Sequence, residues 1–386
     1  MNAPHPAVVS PVPRAVWREV FEADPDAVAT QAPEWADCLA DRGYTDAGRL
    51  YTLPDGRRLV LPLVARGRAG LAVSEESWPY GWGYGGLLSD GGAPTREDCA
   101  LVLADLARRP ALLRAVTPMP LRGAAWLAAA PPGARTVPYT AQVVDLDGGF
   151  DAVWNRYRRQ ARNSVRKAER FELDVRREDG STADPRGPAV FRELYAASVD
   201  RWAAQRGQPL ALARMLAARR DRPGQVALAA RALGARCVVW SVLRAGEPVA
   251  ANVVLQHGAH AIGWLCAMQA DLARETLATY LLHSVAIADA CAAGVRWFHM
   301  GESDSGSGGE HFKRYFGASP VEYAAVRLER LPLSAAERRA RAAYAALSAG
   351  TGRLRARRSS PRAVEVVPDR RESGPAADSR PRAGRP

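Results

Sequence analysis

The sequence predicts a mixed α/β (α+β) fold, and two stretches of its C-terminal half carry that expectation. Three strand-like runs, 237–244, 248–256 and 259–268, follow one another across short turn signals, Ala-Gly-Glu at 245–247 and His-Gly at 257–258. A helical run over 276–293 then keeps apolar residues at Leu277, Leu281, Val285, Ala288 and Ala292. Gly294 stands where a C′ glycine ends a helix, and a strand over 296–300 follows almost at once. Strand, helix and strand with short connections form a right-handed crossover whose two strands are parallel. The expected order is therefore an antiparallel meander passing into one βαβ unit.

The N-terminal half reads as a second α/β lobe. Residues 33–40 form a helix with Pro33 in its first turn. Strands over 49–53 and 58–64 meet at Pro54-Asp-Gly56, a strong turn signal. The run Pro79-Tyr-Gly-Trp-Gly-Tyr-Gly-Gly86 lets backbone approach something closely while Trp82 and Tyr84 offer flat faces. It reads either as the wall of an acceptor cleft or as a glycine-broken strand packing aromatics in the core. A helix over 95–108 and strands near 113–117 and 137–145 complete the lobe.

At 386 residues the chain is long enough for two ordinary cores, and 47% hydrophobic with 24% charged residues is a globular composition. No run approaches the ~18 apolar residues of a membrane span, and the opening residues carry no secretory leader pattern. Five scattered cysteines (38, 99, 237, 266, 291) without a C-x-x-C pair point to a reducing, cytoplasmic setting rather than to disulfides or zinc. His257 and His260 make an H-x-x-H with no further ligand near in sequence, so no metal is expected.

The formal charge is +12, but residues 335–386 hold thirteen Arg against five acids and account for +8 of it. That Arg/Pro-rich tail cannot bury a core and is expected to be disordered. The chain has 51 Arg and two Lys, Lys167 and Lys313; a rotatable ammonium can aim a single charge at one oxygen in a way a planar guanidinium cannot. A basic helix is expected over 150–170, with Trp154, Tyr157, Ala161, Val165 and Ala168 as its apolar stripe. Arg158, Arg162 and Arg166 share a face and repel, so the face calls for an anion: protein carboxylates, phosphate or water.

Several stretches resemble one family. Arg162-Asn-Ser-Val-Arg-Lys-Ala-Glu-Arg170, Ala293-Gly-Val-Arg-Trp-Phe-His-Met-Gly301 and Phe312-Lys-Arg-Tyr-Phe-Gly-Ala318 look like the FemAB-like branch of the GNAT acyltransferase superfamily, which includes FemAB-type peptidoglycan-bridge transferases. Gln31-Ala-Pro-Glu-Trp35 and Gly81–Gly86 match as well. The resemblance spans roughly residues 15–330. It implies tandem GNAT-like lobes, each a mixed sheet flanked by helices: a degenerate one over 15–145 and an active one over 146–333, followed by the basic tail 334–386. Residues 172–236 lack the long coiled-coil arm of several bridge-forming relatives.

The implied activity is N-acyl transfer from acyl-CoA (acetyl-CoA) to an amine of a small or phosphorylated envelope-precursor acceptor. An aminoacyl-tRNA donor acting on a peptidoglycan precursor or peptide metabolite is the alternative. Such a reaction orients an amine against a thioester or ester, stabilises an oxyanion and accepts a proton. The resemblance puts Lys313 at the reacting carbonyl or the donor phosphate. Glu302, His299, Asp304 and Glu310 are the candidate proton acceptors, and the residues alone do not choose among them. Arg162, Arg166 and Lys167 would meet an acceptor phosphate, with Trp82 and Tyr84 on the cleft wall. Arg274 and Thr276, at an expected helix start, would meet the donor's phosphate, although 269–276 lacks the glycines of the usual pyrophosphate loop. Two other classes stay open: a non-catalytic nucleic-acid binder using the tail, and an inactive GNAT-fold scaffold.

Overall fold

The computed structural model describes residues 7–68, 71–220, 224–332 and 339. The expected disordered tail lies outside the described residues, Arg339 excepted. The strands of the first half are β1 (Ala7–Val9), β2 (Thr45–Asp46), β3 (Arg49–Thr52), β4 (Arg58–Leu61), β5 (Val64–Arg68), β6 (Leu71–Ser77), β7 (Leu88–Ser89), β8 (Leu113–Val116) and β9 (Arg135–Asp145). Those of the second are β10 (Leu173–Asp179), β11 (Cys237–Arg244), β12 (Glu247–His257), β13 (His260–Met268), β14 (Trp297–Glu302) and β15 (Ser319–Glu329). Helices α1 (Arg14–Ala23), α2 (Pro33–Ala40), α3 (Arg96–Arg108) and α4 (Gly123–Ala129) belong to the first half. Then come α5 (Gly149–Arg156), α6 (Arg159–Ala168), α7 (Gly187–Gln205), α8 (Leu210–Arg220), α9 (Gln225–Leu233), α10 (Ala270–Thr276), α11 (Ala278–Ala292) and α12 (Gly308–Tyr315).

Among the described residues, eleven strands form one sheet in the order β10-β11-β12-β13-β14-β9-β15-β8-β6-β5-β2, and β1-β3-β4-β7 form a smaller one. Each half contributes one parallel pair closed by a helical crossover: β6 with β8 through α3, and β13 with β14 through α11. This is the two-lobe arrangement that the resemblance implies. The final strands are exchanged. β9 ends the first half yet pairs with β14 (Phe298↔Val144), while β15 ends the second and pairs with β8 (Val326↔Val116). Between them β9 and β15 pair antiparallel from Ser319↔Val143 to Arg327↔Arg135. The sheet therefore runs without a break from one half to the other.

Alternation along β11 shows which helices cover which face. Cys237 and Val239 pack with α1, α2, α7 and α9, whereas Val238, Trp240 and Val242 pack with α5, α6, α10 and α11. Phe298, fully buried on β14, belongs to the second group, and truncating it to Ala should cost about 3–5 kcal/mol. Local signals behave as the residues dictate. Thr95 caps α3 in a reciprocal box with Asp98, and Gly294 takes the left-handed conformation (φ 74°) just past α11.

Two expectations need correction. The basic stretch 150–170 is two helices, broken at Tyr157 and Arg158, which adopt extended conformations. Arg158 N–H donates to Tyr315 O (2.9 Å), and the Arg162 guanidinium donates to the Tyr157 and Asn155 carbonyls, so tertiary bonds satisfy the break. Thr276 ends α10 instead of starting a helix: its Oγ1 donates to Leu272 O (2.7 Å), and Leu277 (φ 57°) turns the chain before α11.

Candidate active site

Strands β13 and β14 are paired only at their beginnings: His260↔Trp297, Ala261↔Phe298 and Ile262↔His299. The ladder from β14 to β9 is also interrupted, between His299 and Glu302. Gly301 sits in that interruption with φ 76°, which favours a residue without Cβ. The result is an open seam in the middle of a continuous sheet. Residues 263–268 border it on one side and 300–302 on the other.

Helix α12 delivers Lys313 to the seam. Ser307 caps it, accepting from Glu310 N–H (3.2 Å), while the Glu310 carboxylate accepts from Gly306 N–H (2.6 Å). Glu310 is thus committed to starting the helix. Six residues later in the chain from Ser307, Lys313 Nζ donates to Gly301 O (3.1 Å) and Glu302 O (2.8 Å). An ammonium has three donors, so two of them tie α12 to the irregular end of β14. Burial lowers the Lys313 pKa to about 8, against the opposing pull of Glu302 and Cys266. At neutral pH the group is still mostly a cation.

The Glu302 side chain is exposed but held. Tyr323 OH, from exchanged β15, donates to Glu302 Oε1 (2.6 Å), and Tyr84 also bonds to this carboxylate. Tyr139 of β9 stacks on Tyr323 (5.5 Å), and Tyr84 meets Tyr323 edge-on (5.9 Å). Burial first, and the Glu302 charge second, push both the Tyr323 and Tyr84 hydroxyls well above their ordinary range. Both therefore remain protonated donors.

Two further groups share the site. Cys266 on β13 is exposed to solvent yet surrounded by protein, which pushes its thiol up to about 11, with Lys313 opposing. His283 on α11 has Nδ1 2.9 Å from Thr279 O; a carbonyl only accepts, so Nδ1 carries the hydrogen and Nε2 is left as an acceptor. Burial, helped by Lys313, lowers its pKa to about 4, so the ring is neutral at pH 7. Its ring packs edge-on against Phe312 (5.2 Å).

The remaining expected site residues lie elsewhere. His299 is completely buried, with Nε2 3.1 Å from His260 Nδ1 and its ring beside Tyr84; burial, then His260, lowers its pKa to about 3. Asp304 is exposed in the turn before α12. Arg162 spends its guanidinium on the α5–α6 break, Arg166 lies over Trp154 (5.7 Å), and Lys167 is exposed on α6. Arg274 is exposed and pairs with Asp271 (3.1 Å). Trp82 is buried against Trp35 and Trp264, and its carbonyl accepts from Trp35 Nε1 (3.0 Å). Trp82 is thus core, while Tyr84 of the same run reaches Glu302 and Tyr80 is exposed; the run also borders the second half, since Trp264 Nε1 donates to Gly81 O (3.0 Å). Among the described residues, no cluster of three or more His, Cys, Asp or Glu is arranged to hold a metal ion.

Sequence reasoning did not find Tyr323, Cys266 or His283. Tyr323 carried one readable signal, its place in the strand-like run 321–328. Its partner Glu302, however, is reached only through the exchange of β15.

Comparison with known proteins agrees with this architecture. Residues 155–314 match the family described as an acetyltransferase (GNAT) domain. Among solved structures, FemX is similar at a TM-score of 0.61 and 12% identity, over 84% of this chain and 97% of that one. A tandem GNAT protein from the clavulanic acid biosynthesis pathway is similar at 0.45 and 13%, over 84% and 98%. L-PGS from Bacillus licheniformis is similar at 0.46 and 12%, over 81% and 95%. At such scores the last two carry no weight of their own. Among curated proteins, no sequence matches the chain. Residues 155–314 are thus similar to a GNAT acetyltransferase domain, and the fold as a whole is similar to that of FemX. The matched domain is that of an acyltransferase.

Proposed function

We propose that the protein transfers an acyl group from acyl-CoA to a primary amine, and that the seam between β13 and β14 receives the donor. The observation that carries this reading is the open seam itself, with a half-buried ammonium at its edge and a tyrosine-held carboxylate beside it. On this reading 15–145 is a supporting lobe and 146–333 the catalytic one.

The chemistry follows from the groups present. The neutral amine attacks the thioester carbonyl; an N–C bond forms and the C–S bond breaks. Glu302 takes the proton that leaves nitrogen. Lys313 stabilises the developing oxyanion. The departing thiolate takes a proton from water. Tyr323 and Tyr84 hold the Glu302 side chain in one orientation, which supplies positioning. His283 is too weak a base, at about 4, to compete at neutral pH.

The exposed cations of α6, Arg159, Arg166 and Lys167, favour an acceptor or donor that carries phosphate. A phosphorylated envelope precursor and an aminoacyl-tRNA both meet that description, and both fit a cytoplasmic protein. Among the described residues, no helix is long and apolar enough to cross a membrane.

The test is a calorimetric screen of acyl-CoAs and aminoacyl-tRNA, followed by turnover with UDP-linked muropeptide and simple amines. Acyl-CoA binding that survives Lys313→Ala, with turnover that does not, supports the proposal. Turnover unchanged in Lys313→Ala contradicts it.

A further inference from the structure

A second cavity lies on the α7–α9 side of the sheet. It has a volume of about 220 Å³ and is walled by Phe191, Tyr195, Val199, Ala217, Val226 and Leu265. It is open to solvent on one side, and an apolar cavity on the order of 150 Å³ already admits benzene. This one has room for an aromatic ring or a short aliphatic chain. Three polar contacts run along its walls. Arg214 bridges to Asp200 (2.6 Å), tying α8 to α7 across the rim. Ser198 Oγ and Arg201 Nη1 donate to Met268 O (3.3 and 3.1 Å), tying α7 to the end of β13.

Its position relative to the seam is the informative fact. Leu265 lines the cavity, and the next residue, Cys266, lies in the field of Lys313. Side chains alternate along a strand, so the cavity and Cys266 meet β13 at neighbouring positions from opposite faces of the sheet. Helix α11, against which the donor is expected to lie, packs on the opposite face of the sheet from α7 and α9.

We propose that the cavity binds an apolar group of the amine acceptor and so selects acceptors with an aliphatic or aromatic side chain close to the amine. The inference rests on the acyl-transfer reading above. The occupant is the acceptor and not the donor's acyl chain, because it approaches from the face that α11 does not cover.

The test measures binding of n-alkylamines from ethylamine to octylamine by calorimetry, without any donor. Affinity should tighten about fourfold per methylene, the effect of burying one CH₂, until the cavity is full. Ala217→Trp fills the cavity and should abolish the gradient while leaving acetyl-CoA affinity unchanged. Ala196→Trp, at an exposed position of the rim, is the second variant in case the first fails to fold, and should act in the same direction. No gradient in the wild type, or a gradient retained in both folded variants, overturns the proposal. A gradient that both variants lose supports the cavity; if no donor then acylates any of these amines, it is the acyl-transfer reading that fails.

Discussion

The two parallel seams of the sheet have the same construction and opposite fates. In the first half, β6 and β8 pair in register from Ser74↔Leu113 to Ser77↔Val116, and a bridge from Gly85 to Pro118 extends the closure. The glycine-rich run is sewn into place. Thr30 Oγ1 donates to Tyr84 O (2.6 Å), and Gln31 Nε2 donates to Gly85 O and Gly86 O (3.1 Å each). Buried Glu75 is neutralised by Arg109 (2.8 Å). In the second half the seam opens after three pairs, and an ammonium and a carboxylate stand at the opening. Closure makes a framework; an opening with paired polar groups makes a site.

The largest test of that contrast is the ammonium. Lys313→Ala should lower kcat by about 10²–10³-fold, the usual loss of an oxyanion-stabilising donor, with donor affinity changed little; single-turnover kinetics separate the two. Glu302→Gln should follow at about 10²-fold, as expected when a general base is removed. Tyr323→Phe removes one hydrogen bond to a charged group, a loss of about 1.5–3 kcal/mol, and should cost roughly tenfold or more in kcat with intact folding by circular dichroism.

In the closed seam the opposite pattern is expected. A Cβ on residue 85 would stand 2.1 Å from Ser77 Oγ and 2.7 Å from Ser77 O. Gly85→Ala should therefore lower stability by about 1–3 kcal/mol, read from urea unfolding, while the folded fraction keeps normal kcat. An equal loss of kcat per folded molecule would show that the first seam shares the chemistry.

The pH dependence gives a finer probe. Folding lowers the Lys313 pKa from 10.5 to about 8, so the cation is present below that value and lost as pH rises through it. kcat/KM should accordingly fall above about pH 8. The smallest effect concerns Cys266. Its thiol, pushed up to about 11, should react slowly with N-ethylmaleimide at pH 7, faster than the buried Cys38, Cys99 and Cys237, and acetyl-CoA should protect it.

Much of the second half was legible because its signals are local. Turn residues at 245–247, the apolar spacing of α11 and Gly294 each act within a few residues, and they fixed the meander and the crossover. Lys313 stood out because lysine is so rare in this chain. Strand β6 was not legible: Leu-Ala-Val-Ser-Glu-Glu-Ser reads as polar until Arg109 is known to neutralise Glu75. The two-helix form of 149–168 depends on bonds to Tyr315 that no local pattern announces. The Glu302–Tyr323 pair escaped for the same reason, since it depends on a strand exchanged between the halves. His299, one of the four candidate proton acceptors, is buried in the core beside His260.

The most direct test is a crystal structure with a non-hydrolysable ketone analogue of acetyl-CoA. The account predicts the analogue between residues 263–268 and 300–302, with its carbonyl oxygen within hydrogen-bonding distance of Lys313 Nζ. An analogue bound along β6 and β8, or with its carbonyl turned away from Lys313, would contradict it.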